Sequence, residues 1–374
     1  MLVRDRVTLS RTSVVAIALT FALLGMVVGA FGPLLEHLTH RFAVSLPLAG
    51  ATISIYFGGG LVGVFAAMRA MEDVSGRMLV MSADVIAAVG CVAVALAPTW
   101  PLFLTGVFVI GLGFGALVLS LNQLVAYSEG ARRAALLSGL NGAYSAGAVV
   151  GPILVAAFAA AHFSALYLGA AVVALVLAAG VSGIAGSLPV GVGRPGRPEV
   201  LVLIFVAAFV CYVGVESGAG GWMASHLESV GVSSNAAATY TSGFFLALMT
   251  GRLLMTLAPS RLPEPAIVLA GSAVAVVLLL AASVGAVAPW AYVASGLAIA
   301  PIFPTGIVWL ARLRPGDARA GSWLFPATSL GGIAGPGAIG LVVAGLGVRW
   351  TPFVLAAIAA GMLLAFYSAR NQSR

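Results

Sequence analysis

Twelve apolar stretches, each near the ~20 residues that an α-helix needs to cross a ~30 Å hydrocarbon layer, follow one another along the 374-residue chain. They begin near Val14, Leu46, Met78, Leu102, Ala134, Phe163, Val200, Asn235, Ala266, Trp290, Ala320 and Thr351. In lipid every backbone N–H and C=O must find its partner within the protein, so only helices and closed barrels can span. The stretches lack the period-two alternation of a barrel strand, which leaves helices. With 61% apolar and 8% charged residues, a soluble domain, at about a quarter charged, is excluded. The chain reads as an all-α membrane protein with twelve transmembrane helices.

Arginine placement tests this map independently, because cytoplasmic loops collect positive charge. With the N-terminus inside, fifteen of the eighteen basic residues fall on the cytoplasmic side, only Arg41 and Arg349 lie outside, and Arg252 sits within the inner part of the eighth helix. An even number of helices puts both termini in the cytoplasm. The net charge of +7 then reports orientation and contact with the anionic lipid bilayer, and no basic stripe with interleaved aromatics suggests nucleic acid. Lysine is absent and the loops are short, which points to a bacterial inner membrane. Cys91 and Cys211 lie inside apolar helices, and the four histidines are scattered without metal-ligand spacing, so no cofactor or metal is expected. Trp100, Trp222, Trp290 and Trp350 fall at outer helix ends, where indole rings favour the headgroup layer.

Sliding the chain against itself by 184 residues lays Gly147-x-x-x-Gly151-Pro152 on Gly331-x-x-x-Gly335-Pro336. Tyr56 then meets Tyr240, Gly59 meets Gly243 and Arg77 meets Arg261. Duplication of this kind marks transporter folds whose halves rock about a central site. The longest break, rich in proline and glycine, gives an N-terminal six-helix bundle at 1–188, a cytoplasmic linker at 189–199 and a C-terminal six-helix bundle at 200–374. These short connections leave function to the interior of the bundle.

Charge within hydrocarbon costs about 2.5 to 3.5 kcal/mol near a helix centre, so intramembrane acids are functional candidates. Glu216 stands in the seventh span with a turn of apolar or small residues on either side. It can bind and release a proton during a transport cycle; the competing role is a structural acid bonded to a neighbouring helix. Asp84, seven residues beyond Arg77, is the second proton-coupling candidate, with an ion pair to Arg69 or Arg77 as its alternative. Glu36, His37, His40, His226 and Glu228 lie at outer helix ends, where water reaches them. For a solute, Asn122, Gln123, Asn141, Tyr144, Tyr212 and Tyr240 offer amides and phenols suited to hydroxyl groups, with interhelical hydrogen bonding as the competing role. No basic residue is expected at mid-membrane, which disfavours a strongly anionic solute. Pro152, Pro301, Pro304 and Pro336 each remove a backbone hydrogen bond and bend their helices, so these prolines, with Gly151 and Gly335, are candidate gating positions.

Asp73-x-x-Gly76-Arg77 resembles the cytoplasmic loop signature of the major facilitator superfamily, with Arg69 in place of its leading glycine. The resemblance implies that Asp73 caps a helix and that Arg77 makes state-dependent charge contacts. Ser138-x8-Gly147-x3-Gly151-Pro152 resembles the fifth-helix motif of that superfamily's antiporters. Tyr212-Val213-Gly214-Val215-Glu216, Trp222, Gly251-Arg252 and Ala300-Pro301-Ile302-Phe303-Pro304-Thr305, with Asn122 and Leu140-Asn141, are similar to the fucose-galactose-glucose proton symporter family. The acids that family carries in its first and fourth helices align with Gly32 and Val118. Gly32 shifted by 184 is Glu216, so the carboxyl sits at the symmetry-related position of the other half.

The resemblance implies the major facilitator fold, with two pseudo-symmetric six-helix halves, alternating access and gating through Arg252. The leading expectation is a monomeric, proton-coupled carrier of a small neutral solute, such as a sugar. An exporter of hydrophobic or weakly cationic compounds competes with it. Minimal loops and termini count against a sensor or scaffold. Without paired acids, a metal cluster or a nucleophile elbow, an enzyme is not expected.

Overall fold

The structure, a computed structural model, describes residues 8–71, 73–126, 133–185, 199–257, 262–314 and 323–372. Their helices are α1 (Arg11–Phe42), α2 (Leu46–Ala70), α3 (Gly76–Leu96), α4 (Trp100–Ala126), α5 (Arg133–Gly180), α6 (Val200–Ser229), α7 (Ser234–Leu257), α8 (Glu264–Ala281), α9 (Ala288–Ile299), α10 (Ile302–Leu313), α11 (Leu324–Leu346) and α12 (Thr351–Gln372). The described residues form an all-α membrane protein apart from two short strands. Among the described residues eleven segments are long and apolar enough to cross a membrane. Helix α7, with Arg252 and a run of Ser, Thr and Asn at its start, completes the twelve.

Two departures from regular helix fall where the sequence foretells them. Helix α5 breaks at His162 (φ −136°, ψ 35°), separating the spans Gly139–Ala159 and Ala161–Gly183. Helices α9 and α10 make one span, Ala288–Leu313, interrupted at Pro301 before α10 starts. Pro304 then lies in the first turn of α10, where a missing N–H costs nothing. Pro152 and Pro336 lie inside α5 and α11. The proposed linker at 189–198 is outside the described residues; Glu199 precedes α6 as its N-cap residue.

The chain forms two compact units. Unit 1 comprises Met1–Val27, Ile55–Ala148 and Phe158–Val192. Glycines bring its backbones together: a Cβ on Gly147 would lie 1.8 Å from the Ala22 carbonyl oxygen of α1, and one on Gly115 would lie 1.9 Å from that of Gly60 on α2. Ser164 of α5 donates to the Ala95 carbonyl of α3 at 2.7 Å. Thr8–Leu9 pairs antiparallel with Ile184–Ala185, Thr8 opposite Ala185.

Unit 2 comprises Val28–Ser54, Val149–Ala157 and Gly193–Arg374, so it takes in parts of α1, α2 and α5 that precede the sequence midpoint. Contacts within the unit explain this. A Cβ on Gly32 would lie 2.3 Å from the Gly220 carbonyl oxygen, and one on Gly50 would lie 2.1 Å from the Trp222 ring. Ser54 donates to the Ile333 carbonyl at 2.9 Å. Trp222 is fully buried and donates Nε1–H to the Pro336 carbonyl at 3.2 Å. This corrects its assignment to the headgroup layer, because small residues on α2 and α11 make room for the indole. Trp290, at 66% exposed, and Trp350, at 45%, lie on the surface instead. The unit's core is an aromatic cluster of Phe205, Phe209, Trp309 and Phe366.

Helices α6 and α11 repeat the glycine contact of α1 and α5. A Cβ on Gly335 would lie 2.4 Å from the Gly214 Cα, and one on Gly331 would lie 2.4 Å from the Val210 carbonyl oxygen. The glycine-proline tract that exposes the duplication in the sequence thus serves the same close approach in each unit.

Candidate functional site

Tyr212 and Glu216 are four residues apart on α6 and share one face of the helix. Arg252 reaches that face from α7. Its Nη2 donates to the Tyr212 hydroxyl at 2.8 Å and to the Glu216 carboxylate at 3.1 Å to Oε2 and 3.3 Å to Oε1. The Arg252 and Glu216 side chains keep 20% and 15% of their exposure, and Tyr212 keeps 1%. Gly251 lets α7 come this close to its neighbours, since a Cβ there would lie 2.4 Å from the Ala300 Cβ. The Phe303 ring of α10 lies 5.7 Å from the Tyr212 ring and closes its other side.

Glu216 is thus bonded to a neighbouring helix, the competing role the sequence left open, and its partner is a basic residue within the spans, where none was expected at mid-membrane. Thirty-six positions separate the partners, and the long arginine side chain carries its charge toward the helix centre. A buried charge needs a partner, and an arginine inside an apolar span was the signal that one existed. Chemically the trio is built around one shared nitrogen, Arg252 Nη2. A proton on Glu216 would cancel the carboxylate's charge and with it the ion pair to the guanidinium.

Asp84 differs. It is 1% exposed, and among the described residues neither carboxyl oxygen has a hydrogen-bond partner. The anticipated pair with Arg69 or Arg77 is not present: Arg69 binds Asp73 at 3.0 Å, and Arg77 donates to the Ser182 carbonyl at 3.4 Å. Asp73 faces Arg69 one turn back, and the side chain that accepts from the α3 N-terminus is Ser75, from Met78 N at 3.3 Å. The cap that the family resemblance implies for Asp73 therefore belongs to Ser75, whose short hydroxyl sits at the N-cap position.

In unit 1, Asn122 spends an amide donor on its own helix, at the Val118 carbonyl 2.7 Å away, and remains half-buried beside Gln123. Asn141 is exposed and Tyr144 half-buried on α5, one turn before the buried Gly147. In unit 2, Tyr240 packs edge-on against Trp290 at 5.4 Å, near the start of α7, while Tyr212 is committed to Arg252. His226, expected at a water-exposed helix end, is buried instead, at 1% exposed. The Tyr292 ring covers it.

A family model described as "Major Facilitator Superfamily" matches residues 17–199. No curated protein matches the chain. The structure of a D-xylose-proton symporter aligns with a TM-score of 0.76 at 15% identity, over 95% of this chain and 96% of that one. A nucleoside transporter aligns with a TM-score of 0.75 at 13% identity, over 96% and 100%. The fucose:proton symporter of E. coli aligns with a TM-score of 0.68 at 17% identity, over 95% and 98%.

Proposed function

We propose that this chain belongs to the major facilitator superfamily, whose model matches residues 17–199, and that it is a proton-coupled carrier that takes up a small neutral solute, a sugar or sugar-like compound, by alternating access. The observation that carries the reading is the Glu216–Arg252–Tyr212 trio, with Arg252 Nη2 at 2.8–3.3 Å from all three acceptor atoms. An ion pair that one proton can break is a two-state element. Ionised, Glu216 holds α6 to α7 through Arg252. Protonated, it releases the guanidinium, and the two helices shift relative to each other. Asp84, buried without a counter-ion, is the second proton site. Arg77, Asp73, the Gly151-Pro152 and Gly335-Pro336 tracts, and Pro301 and Pro304 take the gating roles.

Several observations support a neutral polyhydroxylated solute. Neighbours whose structures name xylose, fucose and nucleoside cargoes share the fold over nearly their whole length. Asn122, Gln123, Asn141 and Tyr144 supply amide and phenol groups in unit 1, and Tyr240 one in unit 2. Arg252 is neutralised by Glu216, so it offers no free charge to an anionic solute. We place the protein, as a monomer, in a bacterial inner membrane with both termini cytoplasmic, on the arginine distribution. The Gly147–Pro152 tract equally suits an exporter of hydrophobic or weakly cationic compounds, which would occupy the same fold.

Proteoliposomes with an imposed pH gradient separate these readings. The proposal expects accumulation of a labelled sugar or nucleoside when the outside is acidic, collapsed by a protonophore. Gradient-driven movement of hydrophobic cations, unaffected by a panel of sugars and nucleosides, would favour export and overturn the uptake reading.

A further inference from the structure

A polar pocket of about 510 Å³ lies at the C-terminal end of α6, lined among others by His226, Ser229, Gly231, Ser283, Gly285 and Arg349. None of these residues belongs to the Glu216 trio. Arg349 is the only permanently charged side chain in the lining. Glu228 is two residues past His226, about 200° around the helix, and faces Glu36 and Ser234 instead. The pocket is therefore electropositive.

Its second donor follows from hydrogen-bond accounting. The Tyr292 hydroxyl lies 3.3 Å from His226 Nδ1, and both residues are buried. Among the described residues Nδ1 is that hydroxyl's only hydrogen-bond partner, and a buried O–H must donate to something. Nδ1 therefore accepts, and the neutral ring carries its proton on Nε2, which has no partner among the described residues. Histidine thus presents a fixed N–H to the pocket it lines.

The end of a helix repels anions unless its carbonyls are satisfied. Here they are: Val230 and Val232 donate to the Leu227 carbonyl, Gly231 donates to that of Glu228, and Arg349 Nη2 donates to that of Ser229 at 3.4 Å. Arg349 uses one of its five N–H donors in this way and keeps the others for a ligand. Gly231 turns the chain back at φ +95° and adds no side chain to the pocket. Trp350, beside Arg349, is 45% exposed, at a depth suited to a headgroup layer.

We infer that this pocket binds a phosphate-like oxyanion, held by the Arg349 guanidinium and the His226 Nε2–H, with the Ser283 side chain against it. Both free phosphate and the phosphodiester of an anionic phospholipid have this chemistry. The site shares no residue with the Glu216 trio and does not depend on the transport reading.

The test measures binding by thermal shift and native mass spectrometry of the purified full chain, using inorganic phosphate, phosphatidylglycerol and phosphatidylcholine as probes. Wild type is expected to bind phosphatidylglycerol at least tenfold more tightly than phosphatidylcholine. Arg349→Gln and His226→Phe should each lose that preference, and Tyr292→Phe should weaken it about fivefold by freeing the tautomer. Because Arg349 also caps α6, Ser283→Asp is the cleaner variant: it adds a repelling carboxylate, leaves the cap and the Tyr292–His226 pair alone, and should weaken binding at least tenfold without lowering the ligand-free melting temperature. Phosphate competing with the lipid would identify a free oxyanion as sufficient, and lipid binding alone would identify the headgroup as the ligand. Equal binding of either probe by wild type and Ser283→Asp, or no binding to wild type, would overturn the inference.

Discussion

Removing Glu216 and Arg252 singly and together measures whether they act as one element. At 3.1 Å and an effective dielectric constant of about 20, their gross attraction is about 5 kcal/mol. Desolvating two side chains that keep 15% and 20% of their exposure offsets more than half of that, leaving a net coupling of about 2 kcal/mol. Glu216→Gln leaves the part-buried guanidinium without its carboxylate and Arg252→Gln leaves the part-buried carboxylate without its guanidinium, each costing about 3 kcal/mol. The double variant removes both charges and loses about 4 kcal/mol where independent residues would lose about 6 kcal/mol, a coupling of about 2 kcal/mol that lies within the range for residues in contact. Reversible SDS unfolding of the purified protein, followed by tryptophan fluorescence, reads all four corners of the cycle. If the single losses add to within about 0.5 kcal/mol, the two residues are independent and the switch does not exist.

Asp84→Asn should leave stability unchanged or slightly raised, because an amide suits a site without a counter-ion better than a carboxylate does. It should also lower the proton-to-solute ratio measured in proteoliposomes, and an unchanged ratio removes Asp84 from coupling. Gly335→Val should prevent α6 and α11 from closing, since even a Cβ would lie 2.4 Å from the Gly214 backbone; the loss should exceed about 3 kcal/mol. Gly58→Ala, where nothing lies within 4 Å of the added Cβ, should be neutral. Equal melting temperatures for the two glycine variants would contradict the packing account.

Much of the architecture was legible because lipid imposes simple rules. Span length and hydropathy placed most of the helices, the Pro301 break marked the joint between α9 and α10, and the repeated glycine-proline tract marked the paired close approaches at Gly147 and Gly335. The site was only half legible. Glu216 stood out as an acid in hydrocarbon, but its pairing with Arg252 depends on how α6 and α7 are rotated about their axes, which no local pattern encodes. The same holds for His226 and Trp222, whose burial comes from elements distant in sequence. Asp84 failed in the opposite direction: helical spacing made Arg77 a plausible partner, yet that arginine reaches Ser182, just past the end of α5, instead. Ser75 replaced Asp73 as the cap because a difference of two residues decides which side chain meets the first free N–H groups.

The account turns on a proton moving on and off Glu216 as solute moves. Adding an accepted solute to proteoliposomes without a pH gradient, and recording external pH with a sensitive electrode, tests this most directly. Wild type should take up protons with the solute and turn the medium alkaline, whereas Glu216→Gln should show no pH change while still exchanging labelled for unlabelled solute. Alkalinisation of the same size in Glu216→Gln would contradict the account.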